Sequence, residues 1–122
     1  MTLRRFSISD RNDNQVTIEI DTDVLTEDLA HEVNNFLSGA KERLAGFDDE
    51  DIYACVAMMA AHRALLMMMA DGGALFPTCD SQRSDAWTAD LLKEEGMPSA
   101  GVRIASAYVE VPDFDELEVH EE

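Results

Sequence analysis

Positive charge is scarce in this sequence. Among 122 residues, 9 are lysine or arginine and 26 are aspartate or glutamate, which gives a formal net charge of −17. Only Lys41 and Lys93 are lysines. Proteins bind nucleic acids and anionic membranes through clustered lysine and arginine, so we expect neither direct nucleic-acid binding nor membrane binding. A protein with a basic surface is the expected partner, because opposite charge speeds encounter.

Three explanations of this acidity remain open at the level of sequence. The charge can attract basic partners, or it can keep a lysine-poor surface solvated in concentrated salt. It can also serve colloidal solubility alone, as net charge does in many small proteins.

Cysteine and histidine are also few. Cys55 and Cys79 do not form a CxxC pair, and we predict two reduced thiols, with the first buried on an apolar helix. The three histidines occur in no HxxxH or HExxH pattern, so no zinc site is predicted. His31 falls on a polar helix side and is expected to be solvated, His62 is expected in the core, and His120 is in the tail.

The sequence also lacks the motifs of common enzyme classes. It has no glycine-rich phosphate loop and no GxSxG, and its acidic runs lack the twelve-residue calcium loop. Paired carboxylates could act in acid–base chemistry, but 26 acidic residues make any choice among them arbitrary. We therefore predict a non-enzymatic protein with no catalytic residue, cofactor or metal ligand.

Long apolar runs are limited to one segment, Ile52–Ala70. His62 and Arg63 lie at its middle, and a central arginine costs roughly 2.5–3.5 kcal/mol in a bilayer. The N-terminal sequence MTLRRFSISD has no apolar run after its arginines, unlike a signal peptide. These features predict a soluble cytoplasmic protein.

The pattern of apolar residues predicts three strands. LRRFSIS (residues 3–9) and QVTIEI (15–20) flank DRNDN, whose residues favour turns, so the pair predicts a β-hairpin. VRIASAYVEV (102–111) is apolar on both faces and predicts a central strand. The expected sheet is three-stranded and antiparallel, formed by the N-terminal hairpin and the C-terminal strand.

About three helices are predicted to pack on this sheet. The first begins at the N-cap Thr26 and either continues to Leu44 or breaks at Ser38–Gly39. A central helix follows the acidic residues 48–51 and ends at Gly72, and a short helix capped by Ser84 ends at Gly96. ALFPTCDSQRSD, between the last two, is predicted as a loop. The fold class is therefore α+β, in a single domain 1–122 with a flexible acidic tail 113–122.

The central helix contains five of the seven methionines and is apolar on every side. Consecutive methionines diverge by about 100° around a helix, so they cannot converge on one metal ion. Such a helix is normally covered all round. Core packing is the favoured interpretation, with part of the surface covered by a second copy; an adaptable methionine-lined groove is the alternative.

Arg63 interrupts one apolar face of this helix. A buried guanidinium needs an anionic partner, so Arg63 is expected either in an internal salt bridge or at an interface. The candidate interface residues are Arg63, Met59, Leu66 and Met67, and the predicted assembly is a homodimer.

Two stretches, DVLTEDLAHEVNNFLSGAKERL and EGMPSAGVRI, carry a family resemblance. They resemble small bacterial families of unknown function, many of them carried by prophages and integrated mobile elements. The resemblance implies a bacterial or mobile-element context and assigns no site residue.

These observations favour a non-enzymatic protein-binding or accessory protein. Three alternatives remain: a DNA mimic that inhibits a nucleic-acid-binding protein, a secretion-type chaperone with an exposed apolar groove, and an unrecognised enzyme.

Overall fold

A four-stranded antiparallel sheet is the centre of the fold. The computed structural model describes residues 1–122. Its strands are Leu3–Ser9 (β1), Gln15–Asp21 (β2), Gly73–Phe76 (β3) and Val102–Glu110 (β4), in the order β1-β2-β4-β3. The α+β class is confirmed, and the hairpin does lie beside the C-terminal strand.

The predicted number of strands was wrong, because β3 lies in the segment interpreted as a loop. This strand has only four residues and pairs with the second half of β4, from Gly73 opposite Glu110 to Phe76 opposite Ala107. Four residues are too few to show an alternation that predicts a strand, and Pro77 follows at once.

Four helices accompany the sheet, one more than predicted. They are Glu27–Phe36 (α1), Ala40–Ala45 (α2), Ile52–Ala70 (α3) and Ser81–Leu92 (α4). The first predicted helix breaks at Gly39, whose φ of 81° lies in the left-handed region. Short 3-10 turns precede α3 and follow β4.

Two of the helix starts follow their predicted caps and one does not. The Thr26 hydroxyl accepts a hydrogen bond from the Leu29 amide (3.4 Å), and the acidic residue Asp51 caps α3. Helix α4, however, begins at the N-cap Asp80, one turn before the predicted cap Ser84. An aspartate and a serine are similarly good caps, so the sequence did not distinguish them.

Ser84 instead protects the edge of β4. Strand β3 pairs only with the second half of β4, and α4 lies along the first half. The Ser84 hydroxyl donates to the Ile104 carbonyl (2.7 Å), and the Ile104 amide donates to the Thr88 hydroxyl (2.9 Å). These side chains satisfy backbone groups that a missing neighbour strand would leave unpaired.

The core lies between the sheet and α3. Alternate residues of β2, Val16, Ile18 and Ile20, are fully buried and face α3. The opposite face of β2 presents Glu19, whose side chain is only 5% exposed. Arg5 donates to one of its oxygens (Nε to Oε2, 3.0 Å) and Arg103 to the other (Nε to Oε1, 2.8 Å).

The pKa of Glu19 reflects two opposing effects. Burial alone raises the pKa of this carboxyl, but the hydrogen bonds and charges of Arg5 and Arg103 outweigh burial and hold the pKa below its ordinary value. The pKa of Asp51 is also lowered, chiefly by the hydrogen bond from Arg4. Both carboxylates therefore stabilise the folded state as anions.

We expect Glu19→Gln to lower the free energy of unfolding at pH 7 by about 2 kcal/mol, the scale of hydrogen bonds to a charged group. A depressed folded pKa contributes stability that is present above the unfolded pKa, roughly 4.3 for glutamate. That contribution disappears as the pH falls through the folded pKa, so the difference between variant and wild type should shrink below about pH 4.

Urea unfolding from pH 3 to pH 7 measures this difference. Glu42→Gln, at an exposed position of α2, is the matched control and should follow the wild type throughout. A gap between Glu19→Gln and the wild type that is the same at every pH would contradict the assignment.

Candidate binding surface

Helix α3 is open to solvent along one ridge. Its exposed residues are Met58, His62, Leu66 and Ala70, which recur at intervals of four. Within one copy of the chain this helix is therefore not covered on every side, and its cover by a second copy stays a prediction. By length and composition α3 could also cross a membrane, but 56% of its most apolar window is buried inside the fold, as in the core helix of a globular domain.

Small residues line the buried side of α3. Ala57, Ala60, Ala61 and Ala64 are essentially inaccessible, whereas Met68 is the one methionine of this helix that is fully buried. Alanines allow the helix axis to approach the sheet closely, and the longer side chains then lie at its flanks. The prediction of core packing therefore holds fully for Met68. Met59, Met67 and Met69 are partly buried against the core. Met58 is 49% exposed and does not pack there.

Three of the four predicted interface residues come together. Met59, Arg63 and Leu66 line a surface cavity of about 470 Å³, together with the exposed His62. Met67 is on another side of α3, in a cavity of about 530 Å³ whose lining includes Trp87. The sequence could not separate them, because all four belong to one broad apolar stripe.

Arg63 is less buried than the sequence predicted. Its side chain is 40% exposed and lies 3.6 Å from the carboxylate of Glu94. The expected internal ion pair is present, but at this exposure and distance it contributes little to stability. His62 was expected in the core and is instead exposed beside Arg63.

The two thiols differ in environment and neither forms a disulfide. Cys55 is buried, with its sulfur 3.6 Å from the Asn34 side-chain oxygen, and Cys79 is exposed. Burial raises the pKa of the Cys55 thiol, which disfavours the nucleophilic thiolate. No three histidine, cysteine, aspartate or glutamate side chains gather in a metal-binding arrangement.

A second apolar cavity lies along α1, which we call the α1 groove. It has a volume of about 430 Å³. Its apolar lining combines α1 and the residues before it with the turn that follows α4: Val24, Leu25, Leu29, Val33, Phe36, Met97 and Pro98. Phe36 and Met97 also line the cavity beside α3, so the two depressions adjoin.

Phe36 is the largest side chain of the α1 groove and is 55% exposed. Its ring lies against Gly96, where a Cβ atom would come within 3.0 Å of the ring carbon Cδ1. Gly96 also has a φ of +86°, which side chains disfavour. Glycine at this position therefore lets the turn support one face of the ring while the other remains accessible.

Arg43 of α2 fixes the end of α1 and thereby the position of Phe36. Its guanidinium donates to the backbone carbonyls of Asn34 (2.7 Å), Leu37 (3.3 Å) and Ser38 (3.2 Å). Its Nε also donates to the Asn34 side-chain oxygen (2.7 Å). A cation at a helix C-terminus satisfies free carbonyls and opposes the negative end of the helix dipole.

Sequence reasoning did not identify the α1 groove. The apolar residues of α1 predict that one side of the helix faces the core. In the structure, some of these residues pack in the fold and others line the exposed groove. Hydrophobic periodicity marks an apolar face but not what covers it. Exposed acidic residues, Glu27, Asp28 and Glu32, lie on the same helix.

Comparison with known proteins finds relatives of this chain in a phage and in a prophage. Residues 15–119 match the family described as "Protein of unknown function (DUF2528)". The chain is similar to "Lambda prophage-derived protein ea10" of Escherichia coli O6:H1, with 33% identity over 93 residues that cover 73% of this chain and 71% of that protein. The values for "Protein ea10" of Escherichia phage lambda are the same. No solved structure matches. The resemblance to prophage families of unknown function is thus confirmed.

Proposed function

Because the chain belongs to the DUF2528 family and has phage and prophage relatives, we propose that it is a non-enzymatic accessory protein of a phage or prophage. It acts in the cytoplasm by binding another protein through the α1 groove. Catalysis forms no part of this proposal.

The exposed aromatic anchor of the α1 groove carries the proposal. Val24, Leu29 and Phe36 are all exposed around one depression. Monomeric proteins rarely leave a large contiguous apolar patch uncovered, and such patches mark interaction sites. Aromatic residues in a central pocket contribute disproportionately to protein–protein affinity.

Charge supports a basic partner. The net charge of −17 attracts cationic surfaces, and Glu32 places a carboxylate in the lining of the groove. The matching partner presents an apolar segment flanked by lysine or arginine. Apolar contact then provides affinity, and the surrounding charges provide rate and orientation.

We expect Phe36→Asp to reduce partner capture by about tenfold or more, because aromatic residues in a central pocket carry a large share of the binding free energy. The measurement is a pull-down from host lysate with the tagged full-length chain, eluted with rising salt and identified by mass spectrometry. Phe114→Asp is the matched control, because Phe114 is 89% exposed in the C-terminal tail.

The outcomes separate the functional alternatives. A partner retained by the wild type and by Phe114→Asp, but lost with Phe36→Asp, supports the proposal. Equal capture by all three chains contradicts it. If the captured partner is released as the salt concentration rises and also binds nucleic acid, a DNA mimic is favoured instead. Salt releases such a partner because exposed charge contacts weaken with screening. An empty pull-down also contradicts the proposal and favours small-molecule or enzymatic function.

A further inference from the structure

The open ridge of α3 has a symmetric sequence. At intervals of four residues it runs Ala54, Met58, His62, Leu66 and Ala70. The order is small, large apolar, histidine, large apolar, small, and it is the same in either direction from His62. Ala54 is half-buried and the other four residues are exposed.

A ridge with this symmetry fits a second copy of itself in antiparallel orientation. When two such helices cross about a two-fold axis near His62, each Met58 faces Leu66 of the second copy. Residues four apart form the ridges that interlock at about −50°, the commonest helix-packing geometry. A two-fold interface must use one self-complementary patch on both chains.

We propose that the protein forms a two-fold homodimer through antiparallel contact of its two α3 helices, centred on His62. The residues that define this interface, Met58, His62 and Leu66, are separate from the apolar lining of the α1 groove. The dimer therefore stands independently of the proposed accessory function.

The distribution of charge favours this face over the others. Two chains with a net charge of −17 repel each other. Helix α3 has no acidic residue between Ile52 and Ala70, although the chain contains 26. Glu94 lies 3.6 Å from Arg63, which offsets its charge, and Glu95 is the single acidic residue in the lining of the cavity beside the ridge. Two copies can therefore meet along α3 without bringing a row of carboxylates together.

Apolar exposure supplies the attraction. Met58 is 49% exposed and Leu66 is 48% exposed. The cavity of about 470 Å³ beside them also includes Leu37 and Met59. A second helix on the ridge would cover these side chains, and burial of apolar surface is the main favourable term in most protein association.

Cysteine cross-linking tests both the contact and its direction. The background is Cys79→Ser, which removes the exposed native thiol and leaves the buried Cys55. In this background, His62→Cys should form a disulfide dimer by itself, because a residue on the axis meets its own copy. A disulfide requires Cα atoms closer than about 7 Å.

Met58→Cys and Leu66→Cys test the register. Under mild oxidation, a mixture of these two variants should form heterodimers at least tenfold faster than either variant forms disulfides alone. Ala86→Cys, exposed on α4, is the control for random collision. Cross-linking of all variants at the rate of Ala86→Cys would overturn the proposal. Faster linking of each variant alone than in the mixture would overturn the antiparallel arrangement.

Light scattering of the unmodified chain gives the second measurement. The wild type should have twice the monomer mass of 13.5 kDa, whereas Leu66→Glu should return to that monomer mass with its circular dichroism spectrum retained. Leu29→Asp, which changes the α1 groove at a residue outside the cavity beside α3, should remain dimeric, so loss of the dimer and loss of partner binding can be distinguished. A wild-type mass of 13.5 kDa at every concentration tested would show that the ridge does not bind a second copy.

Discussion

Replacing Asn34 with leucine is expected to lower the free energy of unfolding by about 3 kcal/mol, the scale for loss of a buried hydrogen-bond network. Asn34 is a buried polar residue of α1, with 1% of its surface exposed. Its side-chain amide donates to the Ala40 carbonyl (3.1 Å), and its oxygen accepts from Arg43 (2.7 Å). One side chain thus joins α1 to α2.

Leucine has a similar size but cannot form these bonds. The Ala40 carbonyl loses its amide donor, and Arg43 loses one of the contacts that hold it against the end of α1. A buried polar group without a partner costs about 1–3 kcal/mol. The same change also loosens the segment that positions Phe36, so partner capture should fall together with stability.

Chemical denaturation of Asn34→Leu and Asn35→Leu measures the effect. Asn35 is the adjacent residue and is exposed, so its substitution should change the free energy of unfolding by less than about 0.5 kcal/mol. Equal values for the two variants would show that the Asn34 network does not stabilise the fold.

A second large effect is expected where α3 meets the sheet. Ala60 is fully buried in the core cluster, and Ala60→Leu inserts three further carbon atoms into packed space. Overpacking of a core usually costs about 1–3 kcal/mol. We expect about 3 kcal/mol, because Ala60 is fully buried and the neighbouring Ala57, Ala61 and Ala64 are also buried.

Ala86→Leu is the control for this substitution, since Ala86 is exposed on α4. Its midpoint of urea unfolding should match that of the wild type within error. If Ala60→Leu unfolds at the wild-type midpoint, α3 does not approach the sheet as closely as its alanines indicate.

The sequence was sufficient for the elements with strong local patterns. The alternation of Val16, Ile18 and Ile20 identified β2 and its buried face, and Thr26 marked the start of α1. These patterns are local because each strand or helix face is set by residues two to four apart. Short elements and competing signals were harder: four-residue β3 had no periodicity, and Asp80 and Ser84 were equally plausible caps.

The candidate surface was predicted only in part. Composition identified α3 as unusual, and Met59, Arg63 and Leu66 do lie together at the surface. Which side of an all-apolar helix faces solvent depends on where the sheet lies, and no local pattern contains that information. The distinction between alanine and methionine positions was available in the sequence. It indicates close packing on the alanine side, because only small side chains fit there.

The sheet joins residues from opposite ends of the chain, and this has a consequence for the order of folding. Glu19 binds Arg103 across 84 positions, and the Glu110 amide donates to the Asn14 side chain across 96. Contacts so distant in sequence close large loops and form slowly. During translation the N-terminal hairpin and α3 must wait for β4 to leave the ribosome before the sheet can close. The apolar surfaces of β2 and α3 therefore stay incompletely covered until residues 102–110 have emerged, and the native core closes only then.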